Sequence, residues 1–183
     1  MDKEAKNRII EDCFRITGNR KKVRKVFWRD KVFRQVFFFR KYHGTEKRIP
    51  KYCYRIMLHF ASKRTGVEIP KTVELGGGVL FVHPYGITIN SKAVIGKNLT
   101  MLKGATIGHI KEGKRKGAPV IGNNVYIGLN STVVGGIRVG DNVVIAPNAF
   151  VNFDVPDYSI VVGNPGVIHK RENAIEGYIV NPV

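Results

Sequence analysis

Acid and cysteine are what this chain is short of. Its 183 residues include 14 Asp or Glu against 31 Lys or Arg, a net charge of +17, and such an excess attracts the phosphates of a cofactor, a nucleic acid or an anionic lipid alike. No recognisable nucleic-acid module accompanies the charge, which argues against a nucleic-acid partner. Cys13 and Cys53 are the only cysteines, too few for a disulfide framework. No apolar leader follows Met1, and no apolar run is long enough to cross a bilayer. A reducing, cytoplasmic setting is therefore expected. A hydrophobic content of 43% excludes a disordered or fibrous chain, and the length suits one sizeable core with a smaller appendage.

What is present divides at about residue 65. Before it, Val23, Val26, Phe27, Phe33, Val36 and Phe37 recur at three- and four-residue spacings among Lys and Arg, the pattern of amphipathic helices. With Gly18-Asn19 and the stretch from Gly44 to Pro50 as breaks, three helices are predicted, over 3–16, 20–41 and 50–64. Residues 20 to 71 carry much of the positive excess, whereas Ile121 to Val151 is close to neutral.

After Val67 the period becomes six. Ile121, Ile127, Val133, Val139, Ile145 and Val151 keep this step, each preceded by two positions by Val125, Ser131, Ile137, Val143 or Ala149 from the second member onward. Each pair alternates inward as a strand requires. Gly122, Gly128, Gly140 and Ala146 follow the inward aliphatics, where a chain turning a corner needs small residues. Short strands joined by corners every six residues stack into a solenoid. The phase continues backwards through Ile107, Met101, Ile95 and Ile89, and in an earlier block through Phe81, Leu75 and Ile69. Two intervals break it, Phe81 to Ile89 and Ile107 to Ile121, each two residues over a whole number of steps. One holds "VHPYG" with His83, the other "GHIKEGKRKGAP". Departures from a repeat are where loops leave the scaffold and sites are built.

From about Gly66 to Ile168, and most specifically in "APVIGNNVYIGLNSTVVGGIRVGDNVVIAPNAFVNFDVPDYSIVVGNPGVI", the chain resembles the hexapeptide-repeat acyltransferases of the serine acetyltransferase-like branch. The resemblance implies a mainly β fold: a left-handed parallel β-helix over residues 66–168, preceded by a basic helical region (1–65) and followed by a C-terminal tail (169–183). It implies a homotrimer with acetyl-CoA lying in grooves between subunits. His83 matches the catalytic histidine, and Glu68, in "GVEI", stands where the family places the acid that orients it, usually an aspartate. Coenzyme A would run along the corners Gly128-Leu129 and Ala146-Pro147 towards "GNPGVIHK", where Gly166 and Val167 replace the family's usual alanine and basic residue and Lys170 and Arg171 are possible substitutes.

The residues support part of this independently. Three hexads and two extra residues put Ile89 one coil above Ile69, so outward-facing Glu68 lies beneath the segment entered from the His83 loop. A neutral imidazole titrates near working pH and suits removal of a proton from an attacking hydroxyl. The bland alternative is a turn histidine before Pro84 and a solvated glutamate. Lys111, Lys114, Arg115 and Lys116 in the second loop suit phosphates of coenzyme A, or simply solvent. His109, at the entrance of that loop, reads as structural, and no metal is expected.

Serine acetyltransferases carry an Arg-His pair before the proline of the second loop, an acidic residue before the catalytic histidine, and a larger helical domain. This chain has Gly117-Ala118-Pro119, Val82 and a region of about 65 residues. The expected acceptor is accordingly a hydroxyl of a sugar or glycan precursor, with serine O-acetylation as the alternative and a noncatalytic trimeric scaffold or membrane-surface module as the rival of another class. For "KKVRKVFWRDKVFRQVFFFRKY" two roles compete. Its apolar stripe, widened by Trp28, Val32, Phe38 and Phe39, either packs as a cap on the first coil or attaches the protein to an anionic membrane surface.

Overall fold

The computed structural model describes residues 2–183, and among these four helices precede a parallel β-solenoid of about five coils. Helix α1 (Lys3–Thr17) starts at Asp2, whose carboxylate accepts from the Ala5 N–H at 2.6 Å, and ends at Gly18 with φ 65°, the left-handed stop that glycine makes easily. The single helix predicted over 20–41 is in fact two, α2 (Val23–Arg29) and α3 (Lys31–His43). Asp30 divides them. Its backbone is extended (φ −109°, ψ 112°) and its carboxylate accepts from the N–H groups of Val32 and Phe33, so a side-chain bond competes with helix continuation and starts a new helix. Helix α4 (Arg48–Thr65) ends at Gly66, φ 69°.

The solenoid has three faces. Face 1 carries β1 (Val67–Glu68), β4 (Ile87–Ile89), β7 (Thr106–Gly108), β10 (Thr132–Val134) and β13 (Phe150–Val151). Face 2 carries β2 (Glu74–Leu75), β5 (Val94–Ile95), β8 (Val120–Ile121) and β11 (Arg138–Val139). Face 3 carries β3 (Leu80–Val82), β6 (Thr100–Leu102), β9 (Tyr126–Ile127), β12 (Val143–Ile145) and β14 (Ser159–Val162), with β15 (Val167–Lys170) antiparallel at its end. The six-residue aliphatics pair with themselves one coil on: Ile89 with Ile107, Ile121 with Val139, Ile127 with Ile145. All six are buried. Ser131, Ile137, Val143 and Ala149 are buried beside them, as the alternation required.

The two interruptions differ in size. Phe81 pairs with Met101, two residues beyond the regular coil, which is the extension predicted around His83. Met101 pairs with Ile127 and Ile95 with Ile121, so the second loop adds eight residues to its coil. The period alone shows only the remainder after whole steps of six, which is why the sequence revealed two.

The first coil would leave a bare edge, and buried polar side chains of the helices meet it. Gln35 donates to Val67 O at 2.8 Å and Arg15 Nε to Gly78 O at 2.9 Å. Arg40 donates to the carbonyls of Leu75 and Gly76, and Asp12 accepts from the Val79 N–H at 2.9 Å. Arg40 and Asp12 are themselves paired at 3.0 Å with both side chains buried. Burial pushes the Asp12 carboxyl up, against the attraction of Arg40. The buried Arg15 guanidinium is lowered to about 10, a desolvation effect that the Asp12 charge opposes.

The basic aromatic stripe is therefore largely core. Val32, Val36 and Phe39 join the solenoid cluster, while Val26 and Phe33 pack with Ile9 and Cys13 of α1. Of the two roles open to this stripe its burial supports packing as the cap; of its aromatics, Trp28 stands out at 68% exposure. The C-terminal segment is fastened down as well. Strand β15 crosses the expected boundary at residue 168, Tyr178 packs edge-on against Tyr126 at 4.9 Å, and the Val183 N–H donates to Asn98 Oδ1 at 3.0 Å.

Candidate active site

The corner between faces 3 and 1 stacks the residues of interest. In the first coil it holds His83 to Gly86, then Lys103-Gly104, then Gly128 to Asn130, then Ala146 to Asn148. Backbone bonds tie successive corners: Gly104 N–H to Tyr85 O at 2.9 Å, Asn130 N–H to Lys103 O at 3.0 Å, and Asn148 N–H to Leu129 O at 2.8 Å. Thus His83, Gly128, Leu129, Ala146 and Pro147 share one edge of the prism, with His83 at its helical end. Gly128 is required there. A Cβ on it would stand 2.6 Å from Pro147 N and 2.9 Å from the Ala146 carbonyl carbon, backbone atoms that cannot turn aside.

His83 is exposed, with φ 49°. A left-handed histidine is tolerated but costs of order 1–3 kcal/mol, a kind of strain found at functional sites. The loop is braced by Tyr85, whose ring covers the hydrogen face of Gly66, where a Cβ would lie 2.9 Å from Tyr85 Cδ2. Glu68 is exposed on β1 and pairs with Thr88 one coil on, so it lies in the coil below the segment leaving the His83 loop. No hydrogen bond joins Glu68 to His83 among the described residues. Glu68 thus stands on face 1, next to the strand that leaves the His83 corner, and the contact is not closed.

The basic loop occupies a different edge, between faces 1 and 2. Ile110 and Gly117 exchange backbone bonds at 3.0 and 2.9 Å, and residues 111–116 form the tip. The loop folds against the next coil because Gly135-Gly136 leaves room: the Gly136 N–H donates to Arg115 O at 2.8 Å, and a Cβ on Gly136 would lie 2.6 Å from Lys116 O. Arg115 pairs with Asp154 at 3.4 Å. Lys114 has no ion pair among the described residues and stays exposed. His109 is half-buried where the loop leaves β7.

Lys170 is placed apart from the His83 edge. It sits opposite Ser159, at the far end of face 3, and donates to Asp157 O at 3.0 Å. The antiparallel turn into β15 carries it back across the face. Lys103 was missed by the sequence reading. It is an exposed cation on the His83 edge, between Tyr85 and Leu129. The signal was there: it lies one coil of 18 positions after Tyr85 and precedes Asn130 in the stacked corner, but a lysine in "LKGA" has no feature to distinguish it from a solvated charge.

Residues 118–152 match the bacterial transferase hexapeptide family, six repeats. Serine acetyltransferase of Staphylococcus epidermidis is 39% identical over 108 residues, 59% of this chain and 51% of that protein. Serine acetyltransferase of Synechococcus elongatus is 36% identical over 117 residues, 64% of this chain and 48% of that protein. The chain thus spans about half the length of these curated relatives. Among solved structures, Neisseria gonorrhoeae serine acetyltransferase superposes with a TM-score of 0.77 at 28% identity, covering 94% of this chain and 69% of that one. A crystal structure of that enzyme in complex with serine gives 0.75 at 28% identity, covering 91% and 69%. These relatives favour the serine acetyltransferase alternative over the sugar acceptor expected from the missing residues. Repeat, fold and relatives agree: the chain carries the bacterial transferase hexapeptide repeat and is similar in sequence and fold to serine acetyltransferases.

Proposed function

We propose that this protein is an acetyl-CoA-dependent O-acetyltransferase of the serine acetyltransferase type, with His83 as general base. The observation that carries the proposal is the placement of His83, exposed and in the left-handed region, on the same prism edge as Gly128-Leu129 and Ala146-Pro147. The imidazole takes the proton of the acceptor hydroxyl as its oxygen attacks the thioester carbonyl carbon. The tetrahedral intermediate then collapses with cleavage of the C–S bond, and the imidazolium returns the proton to the departing thiolate. A base in this role contributes about 10² to 10⁴ in rate. Glu68, one coil below, orients the ring and stabilises the imidazolium once the acceptor is bound, because catalytic hydrogen bonds often tighten only in the loaded site.

Coenzyme A is proposed to lie along this edge. Small corners admit its pantetheine amides to the backbone, and Lys103 and Lys114 offer ammonium groups to phosphates. On one chain Lys114 and Arg115 lie across face 1 from His83. A homotrimer, implied by the family resemblance, resolves the separation by bringing the basic loop of one copy to the His83 edge of the next. Lys170 is left out of the proposed groove.

L-serine is the first acceptor to test, since the relatives bear that name and a gonococcal relative is solved with serine. A sugar hydroxyl is the second reading, favoured by one observation: Gly117-Ala118 and Val82 offer no side-chain partner to an amino-acid carboxylate. Thiol release from acetyl-CoA, followed with L-serine and with a panel of hexopyranosides, separates the two. Serine-dependent turnover that falls at least a hundredfold in His83→Ala, with the fold intact by circular dichroism, is the expected result. Unchanged turnover in that variant removes His83 from the mechanism, and turnover of sugars alone replaces serine by the second reading.

A further inference from the structure

Helix α4 packs on α3 with one side and leaves the other to solvent. Of its 18 residues only Leu58 and Thr65 are buried. On the opposite side Ile49, Tyr52, Ile56 and Phe60 fall within about 80° of one another at 3.6 residues per turn, and their exposures are 81%, 59%, 41% and 61%. They form a ridge that points away from the body. Met57, also exposed, widens it towards α3.

The ridge is bordered by positive charge alone. Arg48 and Arg55 run along one side, Arg64 lies on the other, and Lys63 follows its end. Helix α4 contains no acidic residue, and none of these cations is in a salt bridge among the described residues. The shallow cleft between ridge and α3 is lined by Phe38, Met57 and Ala61 and rimmed by Lys31, Arg34 and Arg64, again without a carboxylate.

We infer that α4 is a membrane-surface element that lays its Ile49–Phe60 ridge into the headgroup boundary of an anionic bilayer. Three features select this occupant. A convex apolar ridge rimmed by Lys and Arg is what an interfacial helix presents, with apolar tips entering the boundary and cations meeting lipid phosphates. A second copy laid ridge to ridge would set Arg48, Arg55 and Arg64 against their own counterparts, with no carboxylate of α4 to offset them. A protein partner would need a groove with an acidic rim, whereas a bilayer adapts to a ridge. The site is distinct from the proposed acetyl-transfer edge and stands without it.

Flotation with vesicles tests this directly. Full-length protein is expected to partition at least tenfold more strongly onto phosphatidylcholine vesicles containing about 30 mol% phosphatidylglycerol than onto pure phosphatidylcholine. That binding should fall at least tenfold at about 0.5 M NaCl, in Ile49→Ser/Phe60→Ser, and in Arg55→Glu/Arg64→Glu. These side chains are exposed, so both variants should keep the circular dichroism spectrum. Equal binding to neutral vesicles, no binding at all, or both variants floating like the parent overturns the inference. So does light scattering that shows a smaller assembly for the ridge variant in the absence of lipid, since a second copy would then cover the ridge; retained flotation by the parent with unchanged mass supports it.

Discussion

Replacing Arg40 by methionine should detach the helical cap from the solenoid. The guanidinium is fully enclosed and does two things at once: it pairs with Asp12 at 3.0 Å, and it satisfies the carbonyls of Leu75 and Gly76 on the open side of the first coil. Removing one partner of a buried pair typically costs about 3–5 kcal/mol, because the remaining charge stays in low dielectric. Each carbonyl that loses its donor adds about 1 kcal/mol. A loss of about 5 kcal/mol is expected, against which methionine recovers some packing. With a urea slope of about 2–3 kcal/mol/M, the midpoint should fall by about 1.5–2.5 M. Helicity at 222 nm is the readout, since the damage lies where the helices meet the first coil.

The same variant has a pH signature. Burial already pushes Asp12 up, with Arg40 as the chief opposing influence, so the carboxyl in Arg40→Met should rise further. A folded-state value above the unfolded one means the folded state holds its proton more tightly. That contribution to stability is present at low pH and lost as pH rises through the folded value. The deficit of Arg40→Met should therefore shrink on acidification from about pH 8 to about pH 5. Asp12→Leu/Arg40→Met, which removes both charges, should recover much of the loss. A deficit under about 1 kcal/mol for the single variant, independent of pH, would refute this account of the cap.

Four further outcomes follow from the geometry. Ile107→Ala, at a fully buried position in the third coil, should cost about 2–5 kcal/mol in chemical denaturation. Gly128→Ala forces a Cβ to within 2.6 Å of Pro147 N; a loss of about 1–3 kcal/mol from overpacking is expected, together with weaker acetyl-CoA binding by calorimetry. Asn124 accepts from Asn98 at 2.8 Å, donates to Asn142 at 2.9 Å and has φ 55°. Asn124→Ala should therefore lose about 1–3 kcal/mol, and Asn124→Gly should lose less because it keeps the backbone angle at no steric cost. Arg115→Ala breaks an exposed ion pair with Asp154 and should change stability by less than about 1 kcal/mol, with any effect seen instead in KM for acetyl-CoA.

The sequence by itself determined the solenoid, because a period of six held by inward aliphatics has one economical solution: short strands, corners and a continuous stacked core. It also located both loops, as interruptions of that period, and singled out His83. The sequence did not size the second loop, since a period reports length only as a remainder, and the eight added residues appeared as two. Nor did it show that Asp30 cuts the basic helix, where a local side-chain bond outweighs periodicity.

Which side of each amphipathic helix meets the protein was a tertiary decision. The Val26–Phe39 stripe and the Ile49–Phe60 stripe look alike as strings of apolar residues among Lys and Arg. One is buried because Arg15, Gln35 and Arg40 must reach the bare backbone of the first coil, drawing α1 and α3 onto it. The other is left outside because α4 packs on α3 and the first coil through its opposite side, where Leu58, Thr65 and Ser62 lie. Register across coils likewise decided that Lys103 stands on the His83 edge and that Lys170 does not. Contacts between residues a whole coil apart depend on how the corners stack, and stacking is settled by backbone bonds between coils that no local pattern encodes.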